Sequence, residues 1–165
     1  LKEVPDDRAA GMLMASLHSS GGKKKEAVET LEAILDQTPD FVPAQKELAA
    51  ILALDPDRKD DALEWAESVR RALPDDLENT QTRGILALQD DPDAAVLLLE
   101  RVDKSDGLSP VGILHLGKAY LATDQKDKAA GALRRAIDTG LSEDLAKQAE
   151  EALEQALTEP AEAGE

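Results

Sequence analysis

Helix-breaking residues punctuate this chain on a fixed beat. Pro5, Pro39, Pro74 and Gly107 follow one another at intervals of 34, 35 and 33 residues, and Ala27, Ala62, Ala95 and Ala129 at 35, 33 and 34. A period near 34 that holds two helical patterns separated by turn residues describes a helix-turn-helix unit. One such unit cannot bury its apolar faces by itself, but a stack of them can. The constraint predicts an all-α chain, an α-solenoid of antiparallel helix pairs. A one-residue insertion in the loop from Asp55 to Lys59 is balanced by a one-residue deletion around Gln89 to Pro92, which keeps the register.

Composition points the same way. Of 165 residues, 52 are Leu or Ala, both strong helix formers, and 12 are Val or Ile, too few for a large sheet core. The 19 Lys and Arg against 35 Asp and Glu leave a formal charge of -16. Such a surface is repelled by phosphate backbones and anionic lipids, so neither a nucleic-acid partner nor direct membrane insertion is expected. No apolar run approaches the ~20 residues of a membrane-spanning helix. The chain has no cysteine, which removes disulfides, thiolate metal sites and thiol nucleophiles. Its opening, Leu1-Lys2-Glu3-Val4, lacks the basic region and apolar core of a signal peptide.

The beat divides the chain into a remnant of a preceding repeat at 1–7, units at 8–40, 41–75, 76–108 (the most degenerate) and 109–141, a capping helix at 142–158 and a disordered tail at 159–165. Within these bounds the pattern predicts helices at 6–19, 24–37, 41–54, 58–73, 76–89, 92–103, 109–123, 126–139 and 142–158. For the last helix, Ser142 is placed to cap, Glu143 and Asp144 suit the positive end, and Leu145, Ala149, Ala152, Leu153, Ala156 and Leu157 form one apolar stripe. Because Pro5 stands one period before Pro39, Leu1 to Val4 read as the last turn of a second helix. The chain then reads as a piece of a longer array whose uncovered first face leaves self-association open.

The clearest unit runs from Pro110 to Gly140. Ile113, Leu116, Gly117 and Tyr120 on its first helix, then Ala129, Leu133 and Ala136 on its second, resemble the tetratricopeptide repeat pattern W-x2-L-G-x2-Y followed by A-x3-F, with Ile for Trp and Leu for Phe. The other units keep the phase: Met14, Ala15, His18, Ala27, Leu31 and Ile34; Leu48, Ala49, Leu52, Ala62, Ala66 and Val69; Gly84, Ala87, Ala95, Leu99 and Val102. Ala66 stands where a bulky residue is usual, next to Trp65. The resemblance spans Ala9 to Leu157 and implies a superhelix whose first helices line a concave groove. It further implies a non-catalytic scaffold that holds a peptide or helix of a protein partner there. The stretch Ala62 to Ala66, the unit at 77–107 and His115 to Tyr120 are also similar to the final repeats of large bacterial proteins of exopolysaccharide and PEP-CTERM sorting systems. That likeness implies an envelope-associated setting, with a structural spacer or assembly module as the alternative role.

Transferred by register from that family, the groove presents Met12, Ser16 and Ser19, then Lys46, Ala50 and Ala53. It continues with Gln81, Ile85 and Leu88, and ends with Val111, Leu114, Lys118 and Leu121. Apolar members would supply affinity, and Lys46 and Lys118 would favour an acidic partner and fix its orientation. A misjudged register would instead place Ile85, Leu114 and Leu121 in the core. Repeat domains that clamp a chaperone's C-terminal carboxylate need Lys, Asn and Arg at fixed groove positions; the single asparagine here is Asn79 and the matching positions hold Met12, Ser16, Ala50 and Gln81.

No constellation for catalysis appears, and no cofactor or metal is expected. His18 and His115 lie far apart, and neither has a second ligand at helical spacing. The run Asp55-Pro56-Asp57 with Asp60 and Asp61 lacks the glycine and the later Glu of a calcium loop and reads as a helix start. Ser19 to Lys24 fails the phosphate-loop spacing and joins two helices, where such a loop follows a strand. Neither G-x-S-x-G nor H-E-x-x-H occurs. The acidic outer helices read as solvated surface.

Overall fold

The structure, a computed structural model, describes residues 5–105 and 107–158, and every regular element among them is helical. The chain divides into two compact units, Leu1–Thr82 and Arg83–Glu165. In the first, α1 (Pro5–Ser20) pairs with α2 (Lys24–Gln37), and α3 (Val42–Leu52) pairs with α4 (Lys59–Ala72) across a single 3-10 turn at Pro56–Arg58. Helix α5 (Leu77–Ala87) begins in this unit and ends in the second. There it is followed by α6 (Pro92–Asp103), the pair α7 (Pro110–Ala122) and α8 (Lys126–Asp138), and α9 (Glu143–Leu157). Every helix lies within two residues of its expected bounds.

Helix α1 takes in residues 5–7, which the repeat beat assigns to the remnant at 1–7. Proline suits its opening, since the first turn has no N–H bond to lose and the fixed φ fits the helix. The remainder of that remnant, 1–4, and the expected disordered tail at 159–165 lie outside the described residues.

The turns are set by local chemistry. Gly22 adopts φ +75° between α1 and α2, and between α7 and α8 the left-handed conformation falls to Asp124 at φ 57°, a residue type whose short polar side chain tolerates it. The amide of Ala94 donates to Asp91 Oδ1 at 2.9 Å, and that of Gly112 to Ser109 Oγ at 3.1 Å, capping α6 and α7. In the acidic loop the amide of Asp57 donates to Asp55 Oδ1 at 3.1 Å, and Arg58 binds Asp61 and Glu32. That loop is a capped helix start, as its sequence indicates.

Within each pair the helices meet at small residues. Ala27, Ala62, Ala95 and Ala129, the four on the repeat beat, are all 0% exposed. A Cβ on Gly117 would stand 2.6 Å from Leu133 Cγ, and one on Gly84 2.7 Å from Leu99 Cγ. Only a bare Cα lets these backbones approach so closely, and the flanking Leu side chains fill the space to either side. In the second unit polar ties add to the packing: Tyr120 Oη donates to Glu100 Oε1 at 2.8 Å, and Arg135 pairs with Asp103 at 2.6 Å, joining α6 to α7 and α8.

Two glycine substitutions should therefore move stability in opposite directions. Gly117→Ala forces a methyl into the enclosed Leu133 and should lower unfolding free energy by about 1–3 kcal/mol, a loss larger than the ~1 kcal/mol gain in helix propensity. Gly131→Ala, on α8 with nothing within 4 Å of the new methyl, should raise it by about 0.5–1 kcal/mol. Urea denaturation followed by circular dichroism distinguishes the two.

Candidate peptide-binding groove

In the second unit, α7 and α9 flank a cleft of about 490 Å³ lined by Lys118, Leu121 and Ala122 on one side and Gln148, Glu151, Ala152 and Gln155 on the other. Leu121, Ala122 and Ala152 give it an apolar floor. Lys118 is half-buried, and its Nζ donates to Gln148 Oε1 at 2.7 Å. Burial pushes this ammonium below its usual lysine range, and the carboxylate of Glu151 pulls it part of the way back. The cleft thus holds a partly dehydrated positive charge whose direct contact is with a neutral amide.

Of the expected groove residues, Lys118 and Leu121 meet in this cleft. Leu114 does not: it is 0% exposed and belongs to the core cluster shared by α7, α8 and α9. The correction has a packing cause, because α9 lies directly on α7 and covers the turn that carries Leu114. Ile85 and Leu88, also in this unit, are half-buried on α5, and Val111 is half-buried at the start of α7.

The first unit treats its lysine differently. Lys46 reaches Glu78 Oε2 at 2.5 Å and Asp76 Oδ2 at 3.3 Å, tying α3 to the start of α5. The two carboxylates, Glu78 foremost, hold its pKa above the usual lysine value. Lys46 is neutralised within its own chain and is no longer a free charge for an acidic partner. Met12, Gln81, Ser19 and Ala53 are half-buried, whereas Ser16 and Ala50 are exposed. Asn79 is buried, and its Nδ2 donates to the Ala66 carbonyl at 3.0 Å, which removes it from any clamp. This unit also has a cleft of about 580 Å³ beside the 3-10 turn, where Lys24 and Lys25 stand on one wall and Asp55 and Asp57 on the other.

The two histidines lie in different units, His18 in the first and His115 in the second. His18 is half-buried on α1. His115 Nδ1 lies 2.8 Å from the Val111 carbonyl, a geometry in which that nitrogen carries the proton. Among the described residues, no group of three His, Cys, Asp or Glu could hold a metal ion.

The comparisons with known proteins agree with this geometry. Residues 112–139 match the tetratricopeptide repeat model. No curated protein matches the chain. Among solved structures, a thermophilic tetratricopeptide repeat protein of Thermus thermophilus is similar at 22% identity and TM-score 0.63, over 93% of this chain and 84% of that one. A MamA protein is similar at 19% identity and TM-score 0.57, over 92% and 93%. A tetratricopeptide repeat protein of Parabacteroides merdae follows at 15% identity and TM-score 0.53, over 90% and 70%. At these identities the likeness is one of fold.

The repeat beat of the sequence also accounts for the cleft residues that the expected lining left out. Gln148, Ala152 and Gln155 stand 34 residues after Leu114, Lys118 and Leu121. Read as a cap alone, α9 offered its apolar stripe to attention and hid this second one. Carrying the period one step beyond Gly140 would have found it.

His115 supplies a pH test. Burial, with the Lys118 charge adding to it, holds its pKa below the usual histidine value. The unfolded chain therefore takes up the proton first, so the His115 contribution is intact above the unfolded pKa of about 6.5 and declines as pH falls below it. The stability difference between the native chain and His115→Gln should shrink or reverse between about pH 7 and pH 5. Urea melts of both proteins at each pH measure it, since carboxylate titration is common to the two and cancels.

Proposed function

We propose that the chain is a non-catalytic interaction scaffold that binds an extended peptide segment of a protein partner in the cleft between α7 and α9. The observation that carries this reading is Lys118, a half-buried ammonium beside an apolar floor with a neutral hydrogen-bond partner. A peptide carboxylate would recover the solvation Lys118 has lost, aliphatic side chains would cover Leu121 and Ala152, and Gln148 and Gln155 offer amides to main-chain groups. Residues 8–40, 41–75, 76–108 and 109–141 serve in this reading as repeats, with Met12, Ser16, Ala50, Gln81, Ile85 and Leu88 extending the lining on their respective units. A structural spacer or assembly module of an envelope-associated or exopolysaccharide-secretion protein is the second role. It draws on the fully buried alanines that stiffen each helix pair.

Peptides selected from a random displayed library against the immobilised chain should be rich in Asp, Glu and aliphatic residues and bind in the micromolar range. Lys118→Glu and Leu121→Asp should each weaken them by about tenfold or more, by about 1.4 kcal/mol. Selected peptides that bind both variants as tightly as the native chain would move the site elsewhere.

A further inference from the structure

The cleft between α7 and α9 carries charge of both signs. Among the residues that line it, Lys118 is the cation and Glu151 the anion. Each feels the field of the other, yet the ammonium bonds Gln148, at 2.7 Å, and is held there one helical turn short of Glu151. Residues three apart on a helix have Cβ atoms about 5–6 Å apart, so the positive and negative points of the cleft are offset along α9 by about that distance. Ala152 follows Glu151 in sequence and Leu121 stands one turn beyond Lys118, so the apolar floor adjoins both charges.

Glu151 is weakly engaged within its own chain. Its partner is Lys147, 3.9 Å away on the same helix, with side chains 61% and 77% exposed, and an exposed pair at that separation contributes little. Lys147 is the only basic residue of α9, against five acids, and of those five Glu151 is the one that lines the cleft. A cation from outside the chain therefore finds a carboxylate there with little competition.

The spacing says where on a peptide that cation belongs. An extended segment puts residues two apart on the same side, about 7 Å from each other, a repeat that flexible side chains match to the offset between Lys118 and Glu151. With an Asp or Glu on Lys118, the residue two places away lies over the floor and before Glu151. The stem of a Lys or Arg covers that floor as an aliphatic side chain does, and its head group reaches the carboxylate as well. A second acid at this place would face a like charge.

We propose that Glu151 is a specificity-determining residue and that the cleft reads a charge pair, an Asp or Glu on Lys118 and, two residues away in an extended segment, a Lys or Arg on Glu151. The inference rests on the reading of this cleft as a peptide site and adds the second charge to it. Random displayed libraries panned against the immobilised native chain should enrich Lys or Arg about fivefold or more two places from the selected Asp or Glu. On Glu151→Gln that enrichment should vanish while the acid stays, and on Glu151→Lys the place should turn to Asp or Glu. For the tightest peptide selected on the native chain, replacing its base by Gln should weaken binding about fivefold there and less than about twofold on Glu151→Gln, by fluorescence anisotropy. Glu151 is exposed, so its variants should keep the fold, and circular dichroism checks this. Acid-bearing peptides that depend on Lys118 but show no basic preference, or a preference unmoved by Glu151→Gln, overturn the charge pair and leave the peptide site standing. A selection that yields no peptide dependent on Lys118 overturns both.

Discussion

Each helix pair depends on the close approach of two backbones at small residues. Where Gly117 faces Leu133 and Gly84 faces Leu99, no methyl fits, and the beat alanines opposite them are wholly enclosed. Close approach is what lets the leucines interdigitate, and interdigitation is what buries enough apolar surface for helices of 11 to 16 residues to persist. The side chains left over, pointing away from the seam, are the material from which the cleft is made.

Much of this was legible in advance because it obeys a period. Proline and glycine spacing located every helix, and the alanines of the beat named the seam. The groove was less legible, for three separate reasons. Leu114 is hidden by α9, a contact between helices two elements apart that no local pattern encodes. Lys46 is neutralised by Asp76 and Glu78, thirty residues and more away in sequence. Gln148 and Gln155 sit on a helix whose dominant signal is its apolar stripe, which masks the polar one beside it.

The middle of the chain departs from the repeat in a way that has a physical signature. On α5 Asn79, Thr80 and Thr82 are buried along with Gly84 and Leu86, and Gln45 is buried on α3. The threonine hydroxyls donate back to the carbonyls of Asp76 and Glu78, and Gln45 bridges Pro39 and Ser68. Asn79 spends its amide nitrogen on Ala66, while its buried Oδ1 has no protein partner. Polar groups satisfied this way hold position but contribute little of the apolar burial that Leu116 and Leu133 provide in the α7 and α8 pair. The division between the two units falls at Thr82 and Arg83, on this same helix.

Helix α9 turns Glu143, Asp144, Glu150, Glu151 and Glu154 to water, with Leu157 the large apolar side chain exposed at its last turn. Glu150, Glu151 and Glu154 stand three and four residues apart there and repel one another, so salt that screens them firms this helix.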